Sequence, residues 1–133
     1  MADIETLILA RELGQLGGIG ARLVARFLPS VSHESTFVVN ASIADVGQRV
    51  DGFLKEFGKP IPEFPCNPER GNYSAIVGSG HMNLNPTIVH LEVIDTDGTA
   101  SVSIRALAKE GKVKQQTAQK LVGRIELLLR QCT

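Results

Sequence analysis

A chain of 133 residues has room for one domain with one hydrophobic core and is too short for a two-domain enzyme. Lys plus Arg equals Asp plus Glu at 14 each, so no net field draws the chain to nucleic acid, an anionic membrane or an acidic substrate. The start carries Asp3, Glu5 and Glu12 instead of a basic leader with an apolar block, and no apolar run reaches the ~20 residues of a membrane span. The expectation is a soluble, cytoplasmic protein with no membrane span and no nucleic-acid partner. Cys66, among prolines, and Cys132 lack metal-type spacing and read as reduced thiols.

Over residues 3–28, Ile4, Leu7, Ile8, Leu13, Leu16, Leu23, Val24 and Phe27 recur at helical spacing in two segments, interrupted between Gly14 and Gly20. Gly14, Gly18 and Gly20 reproduce the Gly-x-x-x-Gly-x-Gly spacing of a dinucleotide-binding turn. Such a turn needs a continuously apolar buried strand before it, and Arg11 and Glu12 stand there instead. The only tyrosine, Tyr73, is followed four positions on by Val77, so the Tyr-x-x-x-Lys of short-chain dehydrogenases is missing too. The stretch is read as an N-terminal helical segment, and no cofactor is expected.

Residues 36–40, rich in β-branched and aromatic side chains, predict a strand. Ser42 with Asp45 three residues on predicts a helix start, and Ile43, Val46, Val50, Phe53, Leu54 and Phe57 keep helical period up to Gly58. Prolines 60, 62, 65 and 68 make 58–72 an extended surface loop. From Tyr73 the period becomes two, with short strands expected at 73–78 and 81–85 and a turn at Asn85-Pro86. In the next strand Val89, Leu91 and Val93 oppose His90 and Glu92; after the turn Asp95-Thr-Asp-Gly98, Ala100, Val102, Ile104, Ala106 and Ala108 oppose Ser101, Ser103, Arg105 and Lys109. A helix over 113–130 carries Val113, Thr117, Leu121, Val122, Ile125, Leu128 and Leu129 on its inner stripe. One apolar sheet face covered by helices makes a single α+β domain.

The order β-α-β(4)-α, with a long C-terminal helix laid on an antiparallel sheet directly after the Ala108-Lys109-Glu110-Gly111 junction, resembles the helix-grip fold of the START-related, polyketide-cyclase-like and pollen-allergen-like superfamily. The similarity is to its compact bacterial members, over residues 36–131, with 3–28 as an addition. The resemblance implies a cavity between sheet and terminal helix that holds a hydrophobic or amphipathic small molecule. The residues expected to line it are Phe53, Phe57, Phe64, Val89, Leu91, Val102, Ile104, Leu121 and Ile125, with the loop 58–72 as its rim.

His81, His90 and Glu92 are the nearest approach to a metal or acid–base cluster. By the alternation His90 and Glu92 face away from the apolar layer, so they are read as a solvated face, with Arg105 opposite Glu92 as an ordinary surface pair. Metal is not expected. Asp95 and Asp97 belong to a turn that favours aspartate for backbone reasons. Lys109, Lys112, Lys114, Lys120, Arg124 and Arg130 are read as an exposed helix face, with a weak phosphate-binding patch as the alternative. Gly123, beside the apolar stripe, is a candidate point of close approach. Three functions stay open: a small-molecule binding module, a non-catalytic homodimer joined through residues 3–28, and a small enzyme using His90, Glu92 or Arg105 if the alternation fails or the N-terminal helices cover that face.

Overall fold

Asp97 and Gly98 both take positive φ, 52° and 87°, as a two-residue type I′ turn requires. Asp95 Oδ1 accepts from the Gly98 amide at 3.2 Å, and the Thr99 hydroxyl donates to the Thr96 carbonyl at 2.7 Å. The turn therefore closes at the pair Thr96–Thr99 and sets the register of the long hairpin: Leu91 opposite Ile104, His90 opposite Arg105, Glu92 opposite Ser103. The expected pairing of Arg105 with Glu92 is corrected by two residues. It would need a turn at Gly98-Thr99, and a β-branched Thr99 resists positive φ.

The computed structural model describes residues 4–5, 8–9, 30–79, 85–109 and 117–131. Strands β1 (Ser30–Val39), β2 (Gly58–Lys59), β3 (Asn72–Ser79), β4 (Asn85–Thr96) and β5 (Thr99–Lys109) form one antiparallel sheet in the order β1-β5-β4-β3-β2. Helix α1 (Ile43–Phe57) joins β1 to β2, and helix α2 (Thr117–Arg130) follows β5. This is the expected α+β arrangement in helix-grip order. The first strand returns beside the last, and the other strands follow as a meander.

Several boundaries move for physical reasons. The first strand begins at Ser30, because pairing with β5 over its whole length supplies the ladder bonds that a polar sequence does not advertise. Pro86 sits inside β4 near its start, opposite Gly78, and does not make a turn; the beginning of a strand is where the missing amide is tolerated. Of the expected strand 81–85, residues 81–84 lie outside the described residues, as do His81, Val113, Cys132 and Gly14 to Gly20. The loop 58–72 opens with β2 paired to β3 and contains a 3₁₀ turn at Pro68–Arg70. It also buries Ile61.

Ser42 caps α1 by accepting from the Asp45 amide at 3.2 Å, as its sequence predicts. Val46, Val50, Phe53 and Leu54 of α1 and Ala118, Leu121, Val122, Ile125 and Leu129 of α2 are buried on the inner sheet face with Phe37, Val39, Tyr73, Val77, Val89, Leu91, Val93, Val102 and Ile104. Residues of period 3.6 and period two thus meet in one core. Leu128 is half-buried at its margin.

Gly47 is required by this packing: a Cβ there would stand 2.7 Å from the Tyr73 hydroxyl oxygen. Gly123 meets nothing within 4 Å, so it marks no close approach. Gly47→Ala is expected to destabilise the fold by about 1–3 kcal/mol through overpacking, and Gly123→Ala to stabilise it by about 1 kcal/mol through helix propensity; urea unfolding of the two variants checks both signs.

Tyr73 offers a second check. Burial, followed by the negative charge of Asp51 and then by Cys66, raises its phenol pKa above the ordinary 10.0. The folded state therefore favours the protonated phenol. That contribution is fully present below pH 10 and is lost as pH climbs through the raised folded value. Tyr73 is the only tyrosine and the chain has no tryptophan, so phenolate absorbance reports this group alone. Its native midpoint should lie above that of the unfolded chain, and Tyr73→Phe should flatten the alkaline loss of stability; coincident folded and unfolded titrations would refute the assignment.

Candidate functional site

The strand registers lay the outer sheet face out in rows. Ser32, Leu107, Ile88 and Ile76 form one row; Glu34, Arg105, His90 and Ser74 the next; Thr36, Ser103, Glu92 and Asn72 a third; Val38, Ser101 and Ile94 a fourth. Apart from Ser32 the first row is apolar, on what the sequence presents as the polar side. Helical residues Ile8 and Leu9 cover it together with Ile61 and half-buried Phe64, giving a second core of Ile8, Leu9, Ile61, Ile76, Ile88 and Leu107. The sheet thus has apolar surface on both faces, a correction to the expectation of one. Ile4, one of the apolar residues recurring at helical spacing, is exposed.

Glu5, also helical, lies at the second row. One Arg105 guanidinium nitrogen, Nη2, donates to both Glu5 oxygens at 2.6 and 2.7 Å. His90 Nε2 lies 3.0 Å from Glu5 Oε2, and His90 Nδ1 lies 2.7 Å from the Ser74 hydroxyl. In the neutral ring Nε2–H donates to Glu5, which leaves Nδ1 to accept from Ser74. Phe64 stands edge-on to the imidazole at 4.9 Å between ring centroids. The side chains of Glu5, His90 and Arg105 are 14%, 23% and 41% exposed. His90 is therefore part of a covered polar interface and not of a solvated face, while Glu92 is exposed as expected.

A serine, a histidine and a carboxylate in this order invite comparison with a nucleophile, its base and an orienting acid. Two features set the group apart. The Glu5 carboxylate is committed to Arg105, and the Ser74 amide is directed at Cys66 Sγ, 3.4 Å away, so it supplies no donor for an oxyanion. Desolvating a carboxylate is costly unless it is paired and hydrogen-bonded, and three contacts from β4 and β5 meet that requirement. The group holds a carboxylate. Beside it, the second and third rows line an open concavity of about 430 Å³ that includes Asn72, Glu92 and Ser103. No group of three potential metal ligands occurs among the described residues.

A second concavity of about 480 Å³ opens between the helices, along Arg49, Phe53, Phe57, Arg124, Leu127 and Leu128. The rings of Phe53 and Phe57 lie 5.0 Å apart, and the Arg124 guanidinium sits over both, 5.3 and 4.5 Å from their centroids. Phe57 is 43% and Leu127 64% exposed. Of the residues expected to line a cavity, Phe53, Val89, Leu91, Val102, Ile104, Leu121 and Ile125 come together as buried neighbours in the inner core. Phe53 and Phe57 reach the groove, and Phe64 lies on the opposite sheet face against His90. Among the basic residues, Arg130 pairs with Glu126 at 2.9 Å and covers Phe37 at 5.1 Å, so it and Arg124 lie against aromatic rings.

Glu5 and Ser74 escaped the sequence reading, since no local pattern ties either to His90. A signal for the covering segment was present in Ile88 and Leu107, apolar residues on the polar side of their strands. Leu9→Ala should cost about 2–5 kcal/mol because its side chain is fully buried on the outer face. Ile4→Ala should stay within about 0.5 kcal/mol. Thermal or urea unfolding separates the two, and equal small effects would contradict the cover.

No family model matches the chain, and no curated protein matches it. Among solved structures it is similar to an uncharacterised protein from Bacillus thuringiensis, with a TM-score of 0.41 and 16% identity over 76% of this chain and 96% of that one. It is also similar to Ara h 8.0201, with a TM-score of 0.40 and 9% identity over 77% of this chain and 94% of that one.

Proposed function

We propose that this chain is a binding domain for a small amphipathic molecule with an anionic end, seated in the groove between α1 and α2. The observation that carries this reading is the pairing of solvent-open apolar groups, Phe57 and Leu127, with the guanidinium of Arg124 in one concavity. Its volume falls in the range of small-molecule sites. The apolar body of the ligand lies on Phe53, Phe57 and Leu127, and its anionic group meets Arg124 and Arg49. Val89, Leu91, Val102, Ile104, Leu121 and Ile125 act as the packed floor that holds the two helices apart.

Removing about 200 Å² of apolar ligand surface from water favours binding by roughly 5 kcal/mol. That corresponds to a Kd of about 0.2 mM before the cost of immobilising the ligand, a cost the Arg124 and Arg49 contacts work against, so a single-chain amphiphile is expected to bind with roughly millimolar affinity. A homodimer joined through 3–28 has less support, because Ile8 and Leu9 are already buried against the chain's own sheet.

Laurate is a suitable probe, followed by non-denaturing mass spectrometry and by amide chemical shifts. One laurate per chain is expected, with Phe57→Ala and Arg124→Gln each weakening it by about tenfold, the order of one lost charged or aromatic contact. Both side chains are on the surface, so the variants keep the fold. Laurate affinity indifferent to both substitutions would remove the groove as its site.

A further inference from the structure

We propose that the Ser74–His90–Arg105 row is a carboxylate-binding site in its own right, that Glu5 occupies it as a resident and displaceable ligand, and that it takes small monocarboxylates bearing hydrogen-bonding groups in Glu5's place. The receptor side is built from β3, β4 and β5 alone. Ser74, His90 and Arg105 are direct ladder neighbours, so their spacing is set by backbone pairing and survives the departure of Glu5. The occupant contributes nothing but a carboxylate: both oxygens meet Arg105 Nη2, and one also meets His90 Nε2. Any R–COO⁻ satisfies those contacts.

Glu5 is tethered one row away from its neighbours in the chain. Ile8 and Leu9 are anchored in the apolar row, beside Ile88 and Leu107, so the carboxylate can leave while the cover stays seated. Phe64, packed nearly perpendicular to the imidazole, holds the ring in place in either state. The concavity of about 430 Å³ beside the row provides space for the body of an incoming acid, walled by Thr36, Asn72, Glu92 and Ser103. Those walls are polar, and Glu34 and Glu92 flank them with negative charge. They select against a second anionic group and favour hydroxyl or ammonium substituents. An intramolecular occupant lowers the apparent affinity of a free competitor by the fraction of time the site is open, so in the intact chain the N-terminal segment sets the ligand concentration at which the site responds.

The test compares wild type with Glu5→Ala in sodium acetate, chloride and sulfate at matched ionic strength, reading thermal midpoints and amide chemical shifts. Acetate is expected to raise the midpoint of Glu5→Ala above its value in chloride or sulfate and to move the Ser74, His90 and Arg105 amides. The wild type should need at least about tenfold more acetate for the same shifts. Adding Arg105→Gln to Glu5→Ala should abolish the acetate response, whereas adding Arg124→Gln should leave it intact, which separates this site from the groove. Equal responses of Glu5→Ala to the three salts, or equal acetate affinity in wild type and variant, overturns the proposal. If Glu5→Ala does not fold unaided, refolding reads the same site: recovery in acetate but not in chloride supports it, and recovery that ignores the anion, or none in acetate, refutes it.

Discussion

Two backbone angles of positive φ, at Asp97 and Gly98, hold the β4–β5 register on which every other feature rests. Because side chains alternate, a slip of one residue would turn one strand over against the other, sending either Val89 and Leu91 or Val102 and Ile104 outward and bringing His90 or Arg105 into the helical core. A slip of two would keep the faces but part His90 from Arg105. The turn thus settles both which residues form the core and which polar groups share a row. Asp95 and Thr99 add the local hydrogen bonds that make one register preferable to its neighbours.

From that hairpin the sheet grows to β1 on one side and β3 on the other, and its two faces acquire different chemistry. The inner face is predominantly apolar and carries two helices whose stripes match it, leaving the surplus aromatic and basic groups at the seam between them. The outer face is divided by row. Its lower row is apolar and closed by Ile8, Leu9, Ile61 and Phe64; its middle row is charged and met by Glu5; its upper rows are open. Helical residues near the N-terminus serve both chemistries, since Ile8 and Leu9 provide dispersion and desolvation where Glu5 provides charge.

Dehydration links those two roles. Ile8, Leu9, Ile61 and Phe64 exclude water from one flank of the Glu5–Arg105 pair, which strengthens the pair electrostatically and raises the cost of leaving either charge alone. Arg105 keeps contact with solvent on its other flank, so the pair has an exit that a fully buried one lacks. The groove between the helices follows the opposite rule. There the apolar groups are open, and a guanidinium lies across aromatic faces, an arrangement worth about 0.5–2 kcal/mol that an anionic amphiphile can share.

The sequence by itself determined the elements whose causes are local. Ser42 and Asp45 mark the start of α1, Asp97-Gly98 the tight turn, and the strict alternation of Val89 through Ile104 the faces of the hairpin. Order and class follow from these, because period-two and period-3.6 stripes have few ways to bury one another. Tertiary structure alone decided what faces what across long separations. Glu5 reaches His90 and Arg105 across 85 and 100 residues, and neither helical nor strand periodicity encodes a partner that distant. Phe64 likewise lies in a proline-rich loop with no period, so only the path of that loop along β3 could assign it to the His90 side. Alternation says that a strand has two faces; whether the second is covered depends on the rest of the chain arriving there.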